Sequence, residues 1–71
     1  MEQFYKGHRI EFSLWPDGDG WCASLFIYYS EGPQNILVTF TVPNTFKTYA
    51  AAIEASLAAA QKWIDGRQPP S

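Results

Sequence analysis

The sequence predicts an α+β domain: a three- to four-stranded antiparallel β-meander packed on one face by a single C-terminal α-helix. Three observations carry that prediction. Residues 8–15, 21–29 and 36–42 alternate or run apolar over strand-like lengths. Two segments rich in Gly, Pro, Asp and Asn, 16–20 and 30–35, separate them. One alanine-rich stretch, 49–65, then takes up helical spacing.

The elements follow in order. Residues 3–5 form a short lead-in strand, and Gly7 permits a bend or bulge after it. In 8–15, Ile10, Phe12 and Leu14 share one face, while Arg9, Glu11 and Ser13 share the other. Pro16-Asp17-Gly18-Asp19-Gly20 turns the chain into a hairpin with 21–29. That second strand is apolar on both faces. Trp21, Ala23, Leu25, Ile27 and Tyr29 point one way; Cys22, Ser24, Phe26 and Tyr28 point the other. After the turn at 30–35, Ile36, Val38, Phe40 and Val42 make the apolar face of a third strand, with Leu37, Thr39 and Thr41 outward. Thr48 is placed to cap a helix over 49–65, and Gly66 to end it. Ala50, Ile53, Leu57, Ala60 and Ile64 read as its apolar stripe, with Trp63 beside it. One helix covers only one face of a sheet, so the outward face of 21–29 needs another occupant.

Size and composition narrow the function classes. At 71 residues the chain reads as one domain over 1–66, with 67–71 a disordered tail. So short a chain buries only about 60% of its unfolded surface. Five Phe, four Tyr and three Trp compensate, and self-association is a frequent remedy at this size. The formal charge is -2 and the five basic residues are scattered, which argues against nucleic acid as a partner without excluding it. No apolar run approaches the ~20 residues of a membrane span. A lone cysteine and an N-terminus without signal-peptide character point to the cytoplasm.

No catalytic constellation is visible, and the expectation is a non-enzyme without cofactor or metal. His8 is the only histidine and Cys22 the only cysteine. The hairpin places them toward opposite ends of the strand pair, so they read as an exposed strand histidine and a small strand cysteine. Asp17-Gly18-Asp19-Gly20 lacks the third acid and the closing glutamate of a calcium loop, and is read as a turn. The feature that remains is a candidate interaction face on the outer side of the sheet: Phe26 and Tyr28, with Trp15 from the preceding strand. Phe4 and Tyr5 of the lead-in segment, or the tail, are its potential covers.

Two resemblances accompany this reading. Asp19-Gly20-Trp21-Cys22-Ala23-Ser24 at the second strand, and Phe46-Lys47-Thr48-Tyr49-Ala50-Ala51-Ala52 leading to Trp63 in the helix, resemble the small HicB-like antitoxin domain. That resemblance implies a partial double-stranded-RNA-binding-like fold. It does not imply antitoxin function: Leu25-Phe26-Ile27-Tyr28-Tyr29 stands where the family carries Pro-Asp-x-Pro-Gly, and no DNA-binding tail is read after the helix. Tyr5-Lys6-Gly7, Gly20-Trp21 and Trp63-Ile64-Asp65 resemble a group of small uncharacterised bacterial domains. The expected function is a non-enzymatic interaction module that associates with itself or another protein through the outer sheet face. The alternative is a nucleic-acid-binding regulator on the RNA-binding-like scaffold.

Overall fold

Four strands follow one another across one antiparallel sheet, and a helix closes the chain: β1 (Glu2–Tyr5), β2 (His8–Asp17), β3 (Gly20–Glu31), β4 (Gln34–Thr41) and α1 (Tyr49–Arg67). The computed structural model describes residues 2–67. The lead-in segment is a true fourth strand, paired from Glu2 with Glu11 to Tyr5 with His8. The expected tail, apart from Arg67, lies outside the described residues.

Every hairpin loop has two residues, which makes the strands longer than their apolar alternation suggests. Lys6 and Gly7 join β1 to β2 with both φ positive, 46° and 76°, as a type I′ turn requires. Gly18 and Gly32 open the other two loops at φ 61° and 59°. Pro16 and Asp17 are therefore paired strand residues, opposite Trp21 and Gly20. The pair that closes a two-residue loop is hydrogen-bonded, so the next pair, Pro16 with Trp21, is not. The missing N–H of Pro16 then points to the side where β1 has already ended, and no ladder bond is lost.

The core lies between the sheet and α1. Ile10, Phe12, Ala23, Leu25, Ile27 and Val42 are buried there with Ala60 and Ile64. Full burial of an aliphatic or aromatic side chain contributes roughly 1.5–3 kcal/mol. Thr48 caps the helix as its sequence predicts: its Oγ1 accepts the Ala51 amide at 3.0 Å.

The helix departs from expectation in two respects. Its buried row is Ala52, Ser56, Ala60 and Ile64. Ala50 is exposed, and Ile53 and Leu57 are half-buried at the flanks. A row of small residues at four-residue spacing lets the helix axis approach the sheet closely. Ser56 can be fully hidden because its hydroxyl donates to the Ala52 carbonyl at 2.7 Å. Nor does Gly66 end the helix, which continues through Arg67. The extra residues carry the Arg67 guanidinium over the Tyr29 ring at 4.2 Å and to Glu31 at 3.4 Å.

Two contacts fasten the ends of the fold. After β4 the chain returns to the free edge of β3, where Trp21 and Phe46 exchange backbone hydrogen bonds of 2.7 and 2.9 Å. Gly20 lies directly beneath this crossing. A Cβ there would overlap Thr45 Cγ2 and come within 2.8 Å of the Phe46 carbonyl oxygen. At the other end Asp65 accepts from the Tyr5 hydroxyl at 2.9 Å and from Lys6 Nζ at 2.6 Å. These contacts, Lys6 first and Tyr5 second, hold the Asp65 carboxyl below its ordinary value, and the Asp65 hydrogen bond raises Lys6.

His8 is not the exposed strand histidine expected from the sequence. It is buried on the helix side, with Nδ1 2.8 Å from the Lys6 carbonyl and its ring 4.9 Å from that of Tyr29. Its parity with Ile10 and Phe12 turns the imidazole to the helix side, and the tight Lys6-Gly7 turn brings the Lys6 carbonyl within its reach.

Two outcomes follow. Gly20→Ala should lower stability by about 1–3 kcal/mol through overpacking against the Phe46 backbone. Gly66→Ala, with open space around its Cβ, should be neutral or stabilising. Thermal melts of both variants check this; equal melting shifts would contradict it. Because the Asp65 carboxyl is depressed, its contribution is present above the unfolded value, near 3.8, and is lost as pH falls through the lower folded value. The stability gap between wild type and Asp65→Asn should therefore close between about pH 5 and pH 2. Urea titrations at several pH values measure it.

Candidate interaction face

The register assigns every outer-face residue to a row across the sheet. Phe4, Arg9, Tyr28 and Leu37 form one row, and Glu2, Glu11, Phe26 and Thr39 the next. Ser13, Ser24 and Thr41 follow, then Trp15 beside Cys22. The expected residues Trp15, Phe26 and Tyr28 thus share one face. They do not form one patch, because the hydroxyl row intervenes, with Ser24 and Thr41 bonded to each other at 3.3 Å.

Nothing among the described residues covers this face. β1 extends the sheet sideways instead of folding over it. Phe4 lies on the outer face and is 71% exposed, while Tyr5 points to the helix side and Asp65. Leu37 is 52% exposed and Trp15 39%. Phe26 and Tyr28 are half-buried by their neighbours in the pleat. The most exposed apolar groups are therefore Phe4 and Leu37. The odd parity of Leu37 in its strand already pointed outward, but the pairing of β1 is needed to bring Phe4 to the same row.

The charges on the face are engaged with one another. The Arg9 guanidinium lies 4.2 Å from the Tyr28 ring centroid, 3.5 Å from Glu2 and 3.9 Å from Glu11. The Tyr28 hydroxyl donates to Glu11 at 3.1 Å. Burial first, and the Glu11 carboxylate second, push the Tyr28 phenol up. Exposed ion pairs contribute at most about 1 kcal/mol, so this network orients the Tyr28 ring more than it stabilises the fold. A shallow groove of about 410 Å³ lies beside it, between Phe4, Arg9, Tyr28, Ser30 and Asn35.

The groups that could carry catalysis stay apart. His8 is on the helix side at one end; Cys22 is on the outer face at the other. The Cys22 thiol faces Asp17 Oδ2 at 3.4 Å, and burial, then that carboxylate, raise it. It is a poor nucleophile at neutral pH. Asp17 and Asp19 share a hollow with Lys47. Among the described residues no three His, Cys, Asp or Glu side chains converge. No helix of the described residues is long and apolar enough to cross a membrane.

At about pH 8, Cys22 should alkylate several-fold more slowly than free cysteine, and Asp17→Asn should speed the reaction. Timed iodoacetamide labelling decides it; a rate at or above that of free cysteine would mean an activated thiol. No protein-family model matches the sequence, and neither a curated protein nor a solved structure matches it.

Proposed function

We propose that this chain is a non-enzymatic interaction module that docks a protein surface, a second copy foremost, through the outer face of its sheet. The observation that carries the proposal is the open outer face, with Phe4, Leu37 and Trp15 exposed on a rigid pleat. Contiguous apolar surface marks contact sites, and the rings of Tyr28 and Phe26 lie between Phe4 and Leu37 in two adjacent rows of this face. Arg9 lies against both Glu2 and Glu11, which leaves this network one net negative charge, so the apolar groups and not the charges recommend the face for docking. Nucleic acid is less favoured. Arg9 is held by Glu2 and Glu11, Lys6 by Asp65, and the two glutamates would repel phosphate.

Sedimentation equilibrium up to millimolar concentration tests this reading. The wild type, 8.0 kDa as a monomer, should self-associate. Phe4→Asp combined with Trp15→Asp should weaken the face-to-face step at least tenfold, since each desolvated charge costs several kcal/mol. A wild type that stays monomeric, or a double variant that assembles indistinguishably from it, would overturn self-association through this face.

A further inference from the structure

The two edges of the sheet are unlike. The β1 edge is short, four residues, carries Glu2, and passes into the Pro16 end of β2. Charge and proline are the usual means of discouraging strand addition. The β4 edge has none of them. Its eight residues, Gln34 to Thr41, include no charge, no proline and no bulge.

The hydrogen-bond parity of β4 is fixed by its hairpin. Glu31 and Gln34 close a two-residue loop, so they form a hydrogen-bonded pair, and the even-numbered residues of β4 bond to β3. The Val42 amide, 2.9 Å from the Ala23 carbonyl, keeps the same parity. The amides and carbonyls of Asn35, Leu37, Thr39 and Thr41 therefore point off the open edge. The inner side is also incomplete. α1 packs over β2 and β3, leaving Ile36, Val38 and Phe40 only half-buried, whereas Leu25 and Ile27 beside them are fully buried.

We propose that β4 is the docking edge for a second copy of this chain, paired antiparallel about a two-fold axis at Val38, so that two four-stranded sheets become one. The strand is self-complementary in this register. Leu37 faces Thr39 of the second copy, and Asn35 faces Thr41; all four have their backbone groups turned outward. On the helix side Val38 meets Val38, and Ile36 meets Phe40, an aromatic–β-branched pairing of the kind that stabilises neighbouring strands. An uncharged strand brings no like-charge repulsion to its own copy. The inference uses the backbone edge, not the outer face; a strictly monomeric wild type would overturn both, and the variants below tell one from the other.

Amide hydrogen exchange across protein concentration tests it. The Leu37 and Thr39 amides should exchange freely in dilute protein and become protected at least tenfold near millimolar concentration. Thr39→Pro removes an outward N–H that β3 does not use, so it should keep the monomer fold and abolish both the protection and one doubling of mass. Thr39→Lys, which keeps the N–H but adds an edge charge, is the companion if the proline variant misfolds. The Phe4→Asp, Trp15→Asp double variant should retain the protection. Free exchange of Leu37 and Thr39 at every concentration, or a Thr39→Pro chain protected like the wild type, would overturn the proposal.

Discussion

One helix cannot cover four strands, and most of this molecule's surface character follows from that. Strands lie about 4.8 Å apart, so the axes of four of them span about 14 Å, while a helix with its side chains is about 10–12 Å wide. α1 sits over the central pair, β2 and β3, and this is where burial is complete. The edge strands and the whole opposite face are left to smaller devices. On β1 the device is polar: Tyr5 and Lys6 reach Asp65. On the outer face it is the Arg9 network and a row of hydroxyls.

The helix compensates by closeness. Ala52, Ser56 and Ala60 place almost no side chain between its backbone and the sheet. The flanking Leu57 and Trp63, half-buried, pack against the same core. Tyr29 marks the boundary of this arrangement: it stacks on His8, lies 6.2 Å from the Trp63 ring, and is capped by Arg67.

The period-two pattern made the sheet legible. The two faces of β3 were plain from alternation alone, and so were the members of the outer face on β2 and β3. Strand ends were less plain, because Pro16 and Asp17 look like turn residues until the limited reach of β1 is known. The helix phase was misread because Ser56 counts as polar, although its hydroxyl finds a partner one turn back. His8 was misread because it is polar and opens its strand, although it alternates in phase with Ile10 and Phe12. Its Nδ1 finds the Lys6 carbonyl of the preceding turn. The Arg9 network required the register, since Glu2 and Glu11 become neighbours only through pairing. The residues alone name no partner: an apolar face shows where contact is favourable, not with what.

The two-residue hairpins also shape how the fold is reached. Each strand pairs with its immediate predecessor, so every ladder begins by closing the smallest loop the backbone allows, at little entropic cost. Sheets with such local connectivity have low contact order for their class and assemble quickly. The distant closure is the one between Tyr5 and Asp65, sixty residues apart, which joins the first strand to the last turn of the helix. The meander can zip from its turns, and that clasp of chain ends completes a structure whose sheet is already in register.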